Sequence, residues 1–181
     1  MAEAFSNKLT RAAGIVTTSS SGSIGITTTI ITGISTVGVA VSDLVDNTNF
    51  IAGTKVTGYG AAASQVVVDQ TSTNTAAVSG TAVVRFLGMT TAYTSTSTKS
   101  ILIGGTFANN TNSSVNLTVE VHDASAGVQA AIASKIPVPT GSSFVISDAG
   151  KTVLEASDEV RVFCDTANAL DVNLSILTGV S

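Results

Sequence analysis

Val115-Asn116-Leu117-Thr118-Val119-Glu120-Val121-His122 and Leu170-Asp171-Val172-Asn173-Leu174-Ser175-Ile176 alternate apolar and polar residues without a break. Successive side chains of an extended chain point to opposite faces, so strict period two describes a strand with one buried and one wet side. Two such strands, more than fifty residues apart, call for a sheet whose apolar face is covered by a second sheet.

Working outward, residues 100–107, 128–136, 143–147 and 159–165 read as four more strands, separated by turn-prone stretches at 109–114 and 148–151. Helical stripes are weak and confined to the N-terminus and to 123–133. The first half has shorter apolar clusters punctuated by Gly, Thr and Asn, with strands expected at 23–31, 37–41, 55–59, 65–69 and 81–86 and a turn at 43–49. A run of small hydroxylated residues between 87 and 98 marks a boundary. The expected fold is all-β: an antiparallel β-sandwich of jelly-roll or immunoglobulin-like kind over 93–181, preceded by a small β-domain over 14–88 and an N-terminal arm or short helix over 1–13.

Composition narrows the function. Charged residues are 11% of the chain, against roughly 25% in ordinary soluble domains. Ser and Thr together exceed a quarter of the positions, and Thr suits strands while Ser suits turns. A weakly charged surface that stays in solution suggests that neighbours cover part of it, so a homo-oligomer is expected. The net charge of −4 and eight scattered Lys and Arg argue against nucleic acid as a partner. No window approaches 18 apolar residues and no signal-peptide core is visible, so neither a membrane nor secretion is expected.

Residues able to carry chemistry are few. His122 beside Asp123 is the single histidine, and no G-x-S-x-G elbow accompanies it. Cys164, the single cysteine, alternates with Val160 and Val162 and reads as a buried small apolar residue. Two His and Cys residues in total cannot build a zinc site. Asp43 with Asp46, Asp148, and Asp158 with Glu159 lie near turns without the spacing of a calcium loop, and read as turn carboxylates. Asn109, Asn112, Asn116 and Asn173 begin N-x-S/T triplets, which a Thr-rich chain produces by chance. Gly58-Tyr59-Gly60 and Gly104-Gly105 lack the Lys of a phosphate loop and read as turn or bulge glycines. No catalytic residue, cofactor or metal is expected, and the chain reads as a non-enzyme.

Two stretches carry a resemblance. Val37-Gly38-Val39-Ala40-Val41-Ser42 followed by Ile51-Ala52-Gly53-Thr54-Lys55-Val56-Thr57 resembles a short β-module of phage structural and fibre-like proteins. Residues 93–181 are similar to a β-sandwich domain of small virion proteins of tailed phages, marine and cyanobacterial ones especially. Ile136-Pro137-Val138-Pro139-Thr140-Gly141-Ser142-Ser143 carries that likeness, with Leu154-Glu155-Ala156-Ser157-Asp158 and a closing strand from Leu170. Ser157 stands where the pattern has Gly, which implies a different turn conformation there. The resemblance implies a virion structural protein made in a host cytoplasm: a capsid decoration (cement) protein or a neck or tail component, with other virion proteins as partners. The alternative is a receptor- or carbohydrate-binding module of a fibre or spike, for which two Tyr and no Trp are a poor supply of stacking rings. Phe5 and Leu9 are the expected docking residues.

Overall fold

The computed structural model describes residues 3–96, 99–147 and 151–180. No helix occurs among them; every element is a strand, and every sheet is antiparallel. Along the chain come β1 (Ala4–Ala13), β2 (Ile15–Ile24), β3 (Ile30–Thr32), β4 (Leu44–Asp46), β5 (Val56–Tyr59), β6 (Gln65–Val68) and β7 (Val78–Gly88). Then follow β8 (Thr90–Thr94), β9 (Lys99–Asn109), β10 (Val115–Asp123), β11 (Val128–Val138), β12 (Ser143–Ile146), β13 (Thr152–Leu154), β14 (Glu159–Cys164) and β15 (Leu170–Val180).

The strands fall into two units. The first joins Met1–Gly14 to Thr90–Ser181, and the second is Ile15–Met89. The small domain therefore does not precede the sandwich. It is inserted after the sandwich's first strand, and residues 4–13 are neither a helix nor a separate arm, because as β1 they pair along β15 from Ala4↔Thr178 to Thr10↔Val172. The insertion leaves as it enters: Ile15 opposite Gly88 pairs the unit's first strand with its last.

The first unit is a sandwich of two sheets, β1-β15-β9-β12 (with β13 also on β9) and β11-β10-β14-β8. Apart from the β10–β11 hairpin and the step from β12 to β13, each successive strand of this unit changes sheet. That winding is a jelly roll and settles the choice against the immunoglobulin-like order. Leu117, Val119, Val160, Val162 and Cys164 of one sheet meet Leu102, Phe107, Leu170, Val172, Leu174 and Ile176 of the other in one core. Phe107 adds a tilted ring contact with Phe144 at 6.2 Å between centroids.

The second unit is a six-stranded sheet in the order β4-β7-β2-β3-β6-β5. Its two ends meet: Leu44 bridges Lys55, Ser42 N–H donates to Val56 O at 2.8 Å, Val56 N–H to Asp43 O at 2.9 Å and Val45 N–H to Thr54 O at 2.8 Å. The sheet thus closes into a small barrel, which satisfies edges that strands of three and four residues could not protect alone. Ile24, Ile31, Val56, Val66, Val84 and Phe86 fill it.

Several local expectations change. Residues 37–41 are a loop: Gly38 has φ +79° and Ser42 φ +76°, and only Val39 of the three valines is buried. The stretch 23–31 is broken by a turn between β2 and β3, and part of the hydroxylated boundary is itself β8. Asp123 ends a strand and starts a tight turn where a weak helix was expected, and Asp148 lies outside the described residues.

Candidate interaction face

The jelly roll carries apolar side chains among polar ones on the outer face of one of its sheets. On β15, Leu170, Val172, Leu174 and Ile176 point into the core, so Asp171, Asn173, Ser175 and Leu177 point out. Residues directly opposite one another in an antiparallel pair share a face. The register Phe5↔Leu177, Leu177↔Ile101 and Ile101↔Val153 therefore draws one apolar row across β1, β15, β9 and β13. A second row runs Leu9, Asn173, Thr106, Val145. Phe5 is 78% exposed and Leu9 73%, and Val145 and Val153 are each 54% exposed.

β1 inverts the usual alternation. Its apolar Phe5 and Leu9 face out, while Ser6 and Lys8 stand opposite the core residues Ile176 and Leu174. Between the two rows the face is low, because Asn7, Ser175 and Gly104 lie across the strands there and Ser175 Oγ donates to Asn7 Oδ1 at 3.4 Å. Gly104 and Gly105 sit mid-strand in β9, where β-carbons would come within 2.9 Å of Ile146 O and 2.7 Å of Leu174 Cδ2.

At the Leu9 end, Arg11, Thr106, Ala108, Asp171 and Asn173 join Leu9 around a groove of about 380 Å³. Asp171 accepts the Ala12 N–H at 3.1 Å and lies 4.0 Å from Arg11 Nε. That backbone bond above all, with help from Asn110 and Arg11, holds its carboxyl below the ordinary range.

The residues singled out for chemistry are scattered, and most of the carboxylates among them are already bonded. Cys164 is fully buried in the core. His122 lies on the other sheet opposite Glu159 and Gln129, with its Nδ1 buried and unbonded. Asp123 beside it accepts Ser125 N–H, Ser125 Oγ–H and Ala126 N–H at 2.7–2.9 Å, which closes the turn and keeps its carboxyl below the ordinary range. Asp43 accepts Ala40 N–H, Asp46 pairs with Arg85, and Glu159 pairs with Arg161 at 2.7 Å. Asp158 accepts Ala124 N–H at 3.0 Å and Glu155 N–H at 2.8 Å. No group of three His, Cys, Asp or Glu side chains able to hold a metal ion occurs among the described residues.

Of the Asn residues, Asn109 is structural: its amide donates to Ser113 O and Val138 O at 2.7 and 2.8 Å, and its Oδ1 accepts Thr111 N–H and Oγ–H. Ser157 corrects the turn expectation drawn from its sequence pattern. Its φ is +74°, so the left-handed geometry that glycine favours is kept with a serine in it.

Phe5 and Leu9, the expected docking residues, are exposed on this face, and Leu177, Ile101, Val153 and Val145 are brought onto it only by strand register. No protein-family model matches the chain, and comparisons with curated proteins and with solved structures return no match.

Proposed function

We propose that this chain is a non-enzymatic structural protein of a tailed-phage particle, a capsid decoration (cement) protein or a neck or tail component, acting by protein–protein assembly. The carrying observation is the apolar row Phe5, Leu177, Ile101, Val153, exposed at Phe5 and Val153 and half-buried between them, on the outside of a sandwich whose core is already complete. A contiguous apolar strip that lies outside its own core is the kind of surface a neighbour covers. The jelly-roll winding, used by capsid domains but also by lectins and cupins, agrees with this reading as fold-level analogy. The likeness of residues 93–181 to small virion proteins supplies the particle.

The sugar-binding alternative gains little from the tyrosines. Tyr93 is buried with its hydroxyl against Ser100, and Tyr59 donates its hydroxyl to Val39 O at 2.6 Å. Cryo-electron microscopy of purified particles of the encoding phage tests the proposal. Density for the jelly roll repeating over the capsid, or ringed at one vertex, is the expected result; absence from the particle overturns it.

A further inference from the structure

We propose that β1 is a self-pairing edge, and that the partner it fits is β1 of a second copy of this chain, antiparallel about a two-fold axis through Asn7. The proposal deepens the assembly reading by naming one partner of the outer face, and it rests on that reading for treating the face as an interface.

The four sheet edges of the jelly roll differ. β8 has five residues, and the β12 and β13 edge has pieces of four and three. β11 is long, but it carries two register shifts, Lys135 at φ +49° and Pro137, which has no N–H to offer. Interruptions of this kind are how proteins block edge pairing. β1 lacks them over seven residues: its register with β15 is regular from Ala4 to Thr10, and among the described residues it pairs with no other strand.

The midpoint of that regular stretch is Asn7, and the sequence around it is self-complementary. Pairing about Asn7 sets Phe5 opposite the copy's Leu9, Ala4 opposite Thr10 and Ser6 opposite Lys8. At the ends it sets Glu3 opposite Arg11, a pair of opposite charges that occurs twice by symmetry. Each position meets one of the same parity, so backbone groups that point outward on one copy meet backbone groups that point outward on the other. A register centred one residue later would oppose Lys8 to its own image.

A second observation is independent of the pattern. Ser6 Oγ is buried without a hydrogen-bond partner. An unmet buried hydroxyl is costly, and the pairing sets the copy's Lys8, a residue with a donor side chain, across from Ser6 on the same face of the sheet. On the outer face, Phe5 and Leu9 of both copies gather into one cluster, which continues the row through Leu177 and Ile101 into a sheet shared by two jelly rolls.

The test uses the full chain. Sedimentation velocity is expected to show a dimer, and the Asn7→Cys variant is expected to form a disulfide-linked dimer in oxidised glutathione, because directly opposed residues fall within disulfide reach. Leu9→Cys, opposite Phe5, should not cross-link. Phe5→Lys and Leu9→Glu, at positions too exposed to unfold the monomer, should each weaken the dimer about tenfold, since each change counts twice. The double variant should recover affinity by opposing unlike charges. A monomeric chain, or cross-linking at position 9 but not at 7, overturns the pairing whether or not the chain is found on particles. A dimer linked through position 7 supports it even if the chain is absent from particles, a result that counts against the virion reading alone.

Discussion

The jelly roll and the barrel solve the same problem with different material. The jelly roll uses strands of nine to eleven residues, β9, β10, β11 and β15, whose alternate side chains interdigitate across two sheets. The barrel has two long strands, β2 and β7, and completes its wall with pieces of three or four residues. A three-residue strand contributes one or two inward side chains, so the barrel depends on closure, through the bonds among Ser42, Asp43, Val45, Thr54 and Val56, more than on any single ladder. The jelly roll can leave β1 open because its core does not need that edge covered. The barrel's sheet closes on itself among the described residues, so the strand pairing proposed above can involve only the jelly roll.

The largest expected effect tests whether the two cores are separate. Phe107 and Phe86 are each fully buried, one in each core. Truncation of either to Ala should cost about 3–5 kcal/mol. Calorimetry should resolve two transitions, with Phe107→Ala lowering one and Phe86→Ala the other. A single transition lowered equally by both would break the comparison.

Next in size is a buried side-chain tie in the jelly roll. Asn109 is 5% exposed and bonds to Ser113, Val138 and Thr111, tying the 110–114 loop to the end of β11. Asn109→Ala takes the amide donor from the buried Val138 O and from Ser113 O and should lower the jelly-roll transition by about 2 kcal/mol. Chemical denaturation followed by a jelly-roll probe reads it; a shift confined to the barrel would refute the assignment.

The same contrast explains what the sequence disclosed. The period-two runs at 115–122 and 170–176 could be read because each strand is long enough to repeat its pattern, although only β15 keeps the expected wet face, Thr118 and Glu120 of β10 being buried as well. The barrel's β3 and β4 are too short for a period to show, and the closing contact of Leu44 with Lys55 leaves no local trace. At 37–41 the valines alternate as in a strand, yet Val37 is 82% exposed and the backbone turns at Gly38. β1 was hidden for another reason. It turns Phe5 and Leu9 outward and Lys8 inward, and its partner β15 lies at the far end of the chain. Phe5 and Leu9 stood out as apolar residues in a polar segment, whereas the row they belong to depends on long-range register.

A smaller effect comes from serines held in left-handed backbone, Ser157 in the jelly roll and Ser42 in the barrel. A non-glycine residue there costs roughly 1–2 kcal/mol, partly offset in a glycine variant by the greater freedom of its unfolded chain. Ser157→Gly should raise the jelly-roll transition, and Ser42→Gly the barrel transition, each by about 0.5 kcal/mol. Thermal melts of the two variants check this, and a loss of stability in either would mean that the serine side chain holds its turn.

The smallest effect is one of sign, and it separates the units by acid. In the jelly roll, hydrogen bonds hold the Asp123 and Asp171 carboxyls below the ordinary aspartate value of 3.8. Their unfolded forms therefore take up protons first as pH falls, and the stability they lend, present above about 3.8, is lost towards the lowered folded values. In the barrel, burial outweighs the Ala40 hydrogen bond and raises the Asp43 carboxyl above 3.8. Here the folded form binds the proton first, so barrel stability falls as pH rises through the raised value and recovers on acidification. Asp43→Asn keeps an acceptor for Ala40 N–H without a charge to bury, so it should stabilise the barrel at neutral pH by an amount that shrinks towards pH 4. Paired melts of wild type and variant across that range measure the slope; a gain that grows with acidity would mean that the Ala40 bond, and not burial, governs Asp43.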